Sequence, residues 1–177
     1  DGAFYTYDMT SGRSYNITAK APAVFWDTEA DYNVTKPPTR VIGWSKDSDA
    51  VLVSDNWDIW KFPVHGGEGI NLTVNGKKDK IRYRTRFRLD PEEKGIDLTQ
   101  PMYVSAYGEY TKKGGIGLIE AGKAGVRMLH WDDASYSQLV KAQKAETYLY
   151  TRETNQEYPN YYVANAALQS GQKVTDA

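Results

Sequence analysis

The feature that most constrains this chain is a short sequence pattern that recurs four times along it. Each copy contains an apolar run, a turn with glycine and a second short run that closes on Thr or Leu. The closing residues, separated by 55, 56 and 46 positions, are Thr18, Thr73, Leu129 and Thr175. Near-regular units of this length are typical of architectures in which one structural unit stacks on the next. The sequence therefore predicts a repeat architecture.

Between these endings, apolar and polar residues alternate with period two in runs bounded by Gly, Asp, Asn and Pro. This pattern predicts an all-β chain. The four-strand content of each unit further indicates a β-propeller fragment of about three and a half four-stranded antiparallel blades. Residues 136–146 also fit about three turns of helix, but no capping signal frames them.

We predict that residues 1–177 form a single propeller-fragment domain. Residues 1–18 supply the outer two strands of one blade, and complete blades span residues 24–73, 81–129 and 136–177. The expected strands are 3–8 and 13–18; then 40–44, 50–55, 57–63 and 69–73; then 82–89, 102–107, 115–120 and 125–129; and finally 137–141, 146–152, 160–166 and 172–175.

The composition argues against several function classes. The formal net charge is -1, so no overall field attracts nucleic acid or an anionic membrane, and neither partner is predicted. No run approaches the roughly 18 apolar residues that a membrane-spanning helix needs. The absence of cysteine excludes disulfides, thiolate catalysis and Cys-type zinc sites.

Residues 44–73 carry a more specific pattern, in which "WSKDSD", "AVLVSD", "DIW", "HGG" and "NLT" follow in order. This pattern resembles the blade of TolB-like and prolyl-oligopeptidase-type propellers, with Lys46 and Ser48 replacing the usual Pro and Gly. Residues 86–119 resemble the propeller of large bacterial S9-family serine peptidases of the dipeptidyl-peptidase or acylaminoacyl-peptidase type. The resemblance implies that Trp44, Trp57 and Trp60 serve blade packing, and that residues 44–73 are one repeat unit rather than a site.

The most polarised segment places arginine at alternate positions of a predicted strand, at Arg82, Arg84, Arg86 and Arg88. Strand alternation would put all four on one face, opposite Ile81, Tyr83, Thr85 and Phe87. Because arginine binds carboxylate and phosphate in a bidentate manner, the row is a candidate substrate-binding surface, either a clamp for an anionic substrate or a strip for nucleic acid. The alternative is that the row pairs with acidic residues on an adjacent strand or blade, or that it is channel-lining and faces the centre of the propeller.

No residue set satisfies a catalytic or metal-binding pattern. The nearest nucleophile string is "GWSKD", but Asp47 stands where a second glycine is needed, so Ser45 is assigned to a turn. His130 and Asp132 are only two of the ligands that a metal site requires. Glu92 and Glu93 are not given the substrate-binding role of the glutamate pair in dipeptidyl peptidases, because they read as loop. No catalytic residue, metal or cofactor is therefore predicted.

The resemblance implies a non-catalytic propeller module of an S9-type serine peptidase. In that family the propeller caps an α/β-hydrolase domain and restricts access to short peptides. The expected partners are thus peptides and a C-terminal hydrolase domain of the parent chain. The alternative is a TolB-like protein–protein interaction module of the cell envelope; a propeller metalloenzyme is a third class, disfavoured by only two histidines.

The compartment is not determined by the sequence, although a periplasmic or otherwise extracytoplasmic bacterial location is favoured. An incomplete ring of blades would expose strand edges and apolar faces at both ends. Homodimerisation through these blade ends is therefore also predicted for the isolated chain.

Overall fold

The structure, a computed structural model, describes residues 2–33 and 35–177. Asp1 and Val34, which fall in the predicted first and second units, lie outside the described residues. The protein is all-β, with 40% of residues in strands and 2% in helix. The strands are β1 (Tyr5–Asp8), β2 (Arg13–Asn16), β3 (Val41–Trp44), β4 (Ala50–Ser54), β5 (Ile59–Pro63), β6 (Ile70–Asn71), β7 (Ile81–Arg86), β8 (Met102–Gly108), β9 (Gly114–Ile119), β10 (Arg127–Asp132), β11 (Leu139–Lys141), β12 (Tyr148–Arg152), β13 (Asn160–Ala164) and β14 (Gln172–Lys173). A single helical turn, α1 (Gly76–Asp79), lies between β6 and β7.

The strands form consecutive antiparallel sheets in which sequence neighbours are also spatial neighbours. Sheet 1 contains β1 and β2, sheet 2 contains β3 to β6, sheet 3 contains β7 to β10 and sheet 4 contains β11 to β14. Short connections are possible because an antiparallel neighbour begins where the preceding strand ends, although a longer loop joins Arg86, the last residue of β7, to Met102, the first of β8. The predicted all-β class and the division into one two-stranded and three four-stranded units are confirmed at this level.

Successive sheets share hydrophobic cores, and strand alternation explains how. In β4, Val51 and Val53 pack with Phe25 and Phe62 in the core between sheets 1 and 2. Leu52 points to the other side and packs with the sheet 3 residues in the next core. Because consecutive side chains of a strand leave opposite faces, an apolar strand can contribute to two cores at once.

The same division occurs in β8, at the centre of sheet 3. Met102, Val104 and Ala106 pack toward sheet 2, whereas Tyr103 packs toward sheet 4 with Tyr148 and its neighbours. Sheets 2 and 3 are therefore each covered on both faces. The chain is held together by three cores arranged in sequence order rather than by one central core.

The closing threonines Thr18, Thr73 and Thr175 make one recurring contact. The Oγ1 atom of each accepts a hydrogen bond from the backbone N–H that lies 14 residues earlier, at distances of 3.1, 3.0 and 2.9 Å. The donors are Phe4, Ile59 and Tyr161. Since Ile59 and Tyr161 lie at the start of the third strand of their sheets, β1 and β2 correspond to the third and fourth strands of a unit.

Two of these threonines also bond the side chain of the residue that directly precedes the N–H donor. Thr73 donates its hydroxyl to Oδ1 of the buried Asp58 at 2.6 Å, and Thr175 donates to Oδ1 of the buried Asn160 at 3.0 Å. A backbone N–H just beyond each threonine, from Gly76 and Ala177 respectively, donates to the same side-chain oxygen at 2.9 and 3.0 Å. The recurrence at the level of atoms supports the repeat that the spacing predicted.

The predicted strand limits differ from the structure mainly in sheet 3. The fourth strand was expected at 125–129, but β10 begins at Arg127 and continues to Asp132. Leu129, the expected closing residue, lies instead at a bulge between Met128 and His130. The helical alternative for residues 136–146 is wrong, because this segment forms β11 and the turn that leads to β12.

Among the residues that the structure describes, no helix is long and apolar enough to cross a membrane.

Candidate functional site

The arginine row does not occupy one face of a regular strand. Between Tyr83 and Arg86 the pairing of β7 with β8 slips by one residue, so that Arg84 and Thr85 together stand opposite Ser105. Tyr83 pairs with Ala106 and Arg86 pairs with Val104, and these two partners share a face of β8. The predicted single face is therefore wrong, because the bulge reverses the alternation beyond Tyr83.

Arg82 is neutralised by acidic residues from two other parts of the chain. Its guanidinium pairs with Glu109, after β8, and with Glu29, in the segment before sheet 2, and it stacks over the Trp57 ring at 4.2 Å. The hydrogen bond from Arg82 lowers the pKa of Glu109. The alternative prediction, pairing with acids of neighbouring strands or units, is confirmed for Arg82.

Arg86 and Arg88 are held by the loop that follows their own strand. Both pair with Glu93, and Arg88 also donates to the backbone carbonyls of Asp90 and Pro91 at 3.1 and 2.6 Å. The Glu93 side chain is only 20% exposed, so it lies inside this ion-pair network rather than in an open loop. Through these contacts Arg86, Arg88 and Glu93 stabilise the loop between β7 and β8.

Arg84 differs from the other three arginines. No carboxylate of the described residues lies within 4 Å of its guanidinium, which instead stacks on the Tyr107 ring at 3.9 Å. Lys112, from the turn between β8 and β9, approaches the same ring at 5.6 Å. Both side chains are exposed, and a cation over an aromatic face is stabilised by the ring quadrupole.

These groups line a cleft of about 340 Å³ beside sheet 3, which we call the Arg84 cleft. Its other walls include Ser105, Gly114 and the backbone around Asp133. A Cβ atom at Gly114 would stand 2.2 Å from the Ala134 carbonyl oxygen, so glycine allows residues 133–135 to pass directly over β9. The bulge, the Gly-Gly start of β9 and the extended end of β10 together build the cleft.

A second polar cluster lies between sheets 3 and 4. The His130 ring stacks on Tyr136 with centroids 5.1 Å apart and contacts Tyr150 at 4.9 Å. Its Nε2 atom is buried and has no hydrogen-bond partner among the described residues, and burial lowers the pKa of the imidazole. Burial also raises the pKa of the Tyr136 phenol well above its usual range. His130 is thus held as a neutral aromatic ring.

Asp132 does not combine with His130 as a metal site. One carboxylate oxygen accepts from the Tyr136 hydroxyl at 3.0 Å, and the other accepts from Arg152 at 2.9 Å. Within residues 2–33 and 35–177, no group of three or more His, Asp or Glu side chains is arranged to hold a metal ion. Asp132 therefore anchors β10 to sheet 4.

Ser45 lies where the sequence assigned it, in the turn between β3 and β4. Its buried hydroxyl donates to Asp49 at 2.9 Å and accepts from the Ala50 N–H at 2.9 Å. Both bonds close the turn, and neither partner is a general base of a catalytic set.

The sequence reasoning identified Arg84 but missed its partners Tyr107 and Lys112 and the cleft around them. In the sequence, Tyr107 looks like any aromatic residue of a strand, and Lys112 looks like a solvent-exposed lysine of a turn. Their approach to Arg84 depends on how β7 pairs with β8, where Tyr107 stands opposite Arg82, and on the turn after β8 that carries Lys112. Nothing in "RYRTRFR" indicates these contacts.

The fold defines an all-β protein of consecutive antiparallel sheets that share cores in sequence order. Comparison with models of protein families gives no match, and comparison with curated proteins finds no significant similarity.

Proposed function

We propose that this chain is a non-catalytic part of a β-propeller in an S9-type serine peptidase, where it gates the access of peptides to an α/β-hydrolase domain outside this chain. The observation that carries the proposal is the recurrence of one unit. Three four-stranded sheets have the same strand order, and the three closing threonines bond the N–H 14 residues earlier. Blades that stack through shared apolar faces require this kind of repetition.

The segment that resembles a peptidase blade uses its signature residues for folding. Ser45 closes the first turn, Asp58 binds Thr73, and Asp55 accepts from the Trp57 N–H and the Trp60 indole, each at 2.9 Å. These roles support a unit that builds a scaffold. Gating then follows from the shape of the scaffold and not from chemistry within it.

An apolar row on the outer face of sheet 4 is also in keeping with the proposal. Val140, Leu149 and Val163 are paired across β11, β12 and β13, and Val140 is 46% exposed. In a propeller this face packs against a further blade. For the isolated chain, homodimerisation through such a face remains our prediction, and light scattering at increasing concentration tests it.

The experiment that tests the proposal uses an antibody raised against this chain on extract of the source cells after labelling with a fluorophosphonate. Fluorophosphonates react covalently with the activated serine of a serine hydrolase. We expect a labelled band much larger than the 20.0 kDa of this chain. The purified chain alone should not cleave aminoacyl-nitroanilides.

Two outcomes would contradict the peptidase assignment in different ways. A large band without label would favour the TolB-like interaction module of the cell envelope. An unlabelled band at the size of this chain would mean that it works as a separate small module.

A further inference from the structure

The Arg84 cleft contains two cationic side chains, Arg84 and Lys112, whose charges are not held in a close ion pair. Arg82, Arg86 and Arg88 each pair with a glutamate, whereas Arg84 has no carboxylate of the described residues within 4 Å. Lys112 reaches only Glu109, at 3.9 Å, and Glu109 is already bound by Arg82. The cleft therefore presents two cationic side chains, of which Lys112 alone has a carboxylate of the described residues within 4 Å.

The bulge in β7 includes Arg84 and precedes the two later arginines, Arg86 and Arg88. The Thr85 N–H donates to the Ser105 hydroxyl at 3.2 Å, which keeps the two-residue bulge opposite a single residue of β8. Bulges commonly re-aim a side chain at functional sites. Here the Arg84 guanidinium lies over the Tyr107 ring at 3.9 Å, and its donor groups are available to a ligand.

The shape and polarity of the cleft restrict the ligand class. A volume of about 340 Å³ suits a small molecule or the end of a chain, and hydroxyls from Ser105 and Ser135 add hydrogen-bonding groups to the cations. Asp133 lines the same cleft, so its formal charge with Arg84 and Lys112 is +1. This net positive charge favours an anionic ligand group.

We propose that the Arg84 cleft binds the carboxylate or phosphate group of a small ligand, with Arg84 and Lys112 as cationic partners and Tyr107 as the ring that positions them. Guanidinium groups bind both oxyanions with paired hydrogen bonds, so the shared chemistry is that of the oxyanion. This inference does not depend on the propeller interpretation, because it rests on residues within sheet 3 and its neighbouring loops.

The test is a titration of the isotope-labelled chain with succinate and, separately, with inorganic phosphate at low ionic strength, followed by NMR. We expect saturable shifts of the Arg84 Nε–H and the Lys112 amide, and weaker binding as salt is added. Arg84→Gln should raise the Kd about tenfold or more, since it removes a charge-assisted hydrogen bond.

Matched controls separate a site from general electrostatics. Arg13→Gln removes the same charge from an exposed position on β2, and Lys113→Gln alters the neighbour of Lys112 that does not line the cleft. Neither should change the Kd. Tyr107→Phe, which keeps the ring, should bind within about twofold of the original chain, whereas Tyr107→Leu should bind about threefold more weakly.

Comparison of succinate with inorganic phosphate shows which oxyanion the cleft binds. Binding of succinate alone assigns a carboxylate ligand, binding of phosphate alone assigns a phosphate ligand, and binding of both assigns a general oxyanion site. Absence of saturable shifts with either ligand would overturn the proposal, as would an equal Kd in Arg84→Gln. Thermal unfolding of each variant verifies that a lost shift does not come from a lost fold.

Discussion

Sheets 2 and 3 have the same strand order and differ in how they end. Sheet 2 ends at Thr73, which bonds the Ile59 N–H and the Asp58 carboxylate and so ties its last strands together. In sheet 3 the expected closing residue, Leu129, lies instead in a bulge within β10, and this strand runs on to Asp132, opposite Gly114 at the start of β9. The fourth strand of sheet 3 is therefore longer than that of sheet 2 and contains no closing threonine.

Sheet 3 departs from the repeat in the extension of β10 and in the bulge of β7, and each departure carries residues that stacking of the units does not require. The extension of β10 carries His130 and Asp132 into the tyrosine-rich core next to sheet 4. Sheets 2 and 3 both have a bulge in their first strand, but the bulge of β3 contains Ile42, which packs in a core, whereas that of β7 exposes Arg84. Residues that stack one unit on the next keep the pattern of the repeat. Residues that depart from this pattern are the ones at which a functional site is expected.

The largest effect that tests this comparison is expected from Thr73→Val. The substitution keeps the shape of the side chain but leaves the Ile59 N–H unpaired and removes one donor from the buried Asp58 carboxylate. Burying unsatisfied polar groups costs about 1–3 kcal/mol each, so we expect a loss of about 3 kcal/mol in the free energy of unfolding. Urea denaturation measures it. A loss below about 0.5 kcal/mol, no more than an ordinary surface substitution costs, would show that the hydroxyl does not hold the sheet together.

The closing threonines also show what could be predicted from the sequence and why. Their spacing and the period-two runs located the strands and units to within a few residues, because alternation is a local property of a half-buried or doubly buried strand. The hydrogen bond that recurs between residues 14 positions apart was not predicted. It joins the two ends of a hairpin, so it depends on how the strands pair and not on the local sequence pattern.

The candidate site was less predictable than the fold. Alternation assigned four arginines to one face, and a single inserted residue in β7 was enough to invalidate that assignment. The partners of Arg82 and Arg84 come from Glu29, Trp57 and Tyr107, whose proximity depends on how sheets and loops meet. Such contacts have no local signal in the chain.

A smaller effect is expected from Thr175→Val, the matched change in sheet 4. Thr175 makes the same two bonds as Thr73, to the Tyr161 N–H and to Asn160, but it is exposed. Water can replace its hydroxyl, and the partner is a neutral amide rather than a carboxylate, so we expect a loss of about 1 kcal/mol. The same urea series measures it. If Thr175→Val cost as much as Thr73→Val, burial would not explain the difference between the two closing threonines.

The smallest effect concerns pH and the extended end of β10. Burial lowers the pKa of His130 in the folded protein, against an ordinary value of 6.5; Asp132 opposes this shift, and the positive charge of Arg152 adds to it. Tyr136 and Tyr150, which flank the ring, have pKa values raised by burial, so they are neutral in this range. As the pH falls through 6.5, the unfolded chain binds a proton before the folded chain does. The free energy of unfolding should therefore decline until the pH passes below the folded pKa.

The carboxylates of Glu109 and Glu157 do not produce this decline, because their pKa values are lowered from 4.5 by hydrogen bonds from Arg82 and Lys173. Their contributions to stability are lost only as the pH falls through about 4.5 and below. His130→Phe keeps an aromatic ring between the tyrosines and should flatten the dependence below pH 6.5. His65→Phe, which alters the only other histidine, should leave it in place. If His65→Phe flattened the curve instead, the decline would not come from the extended end of β10.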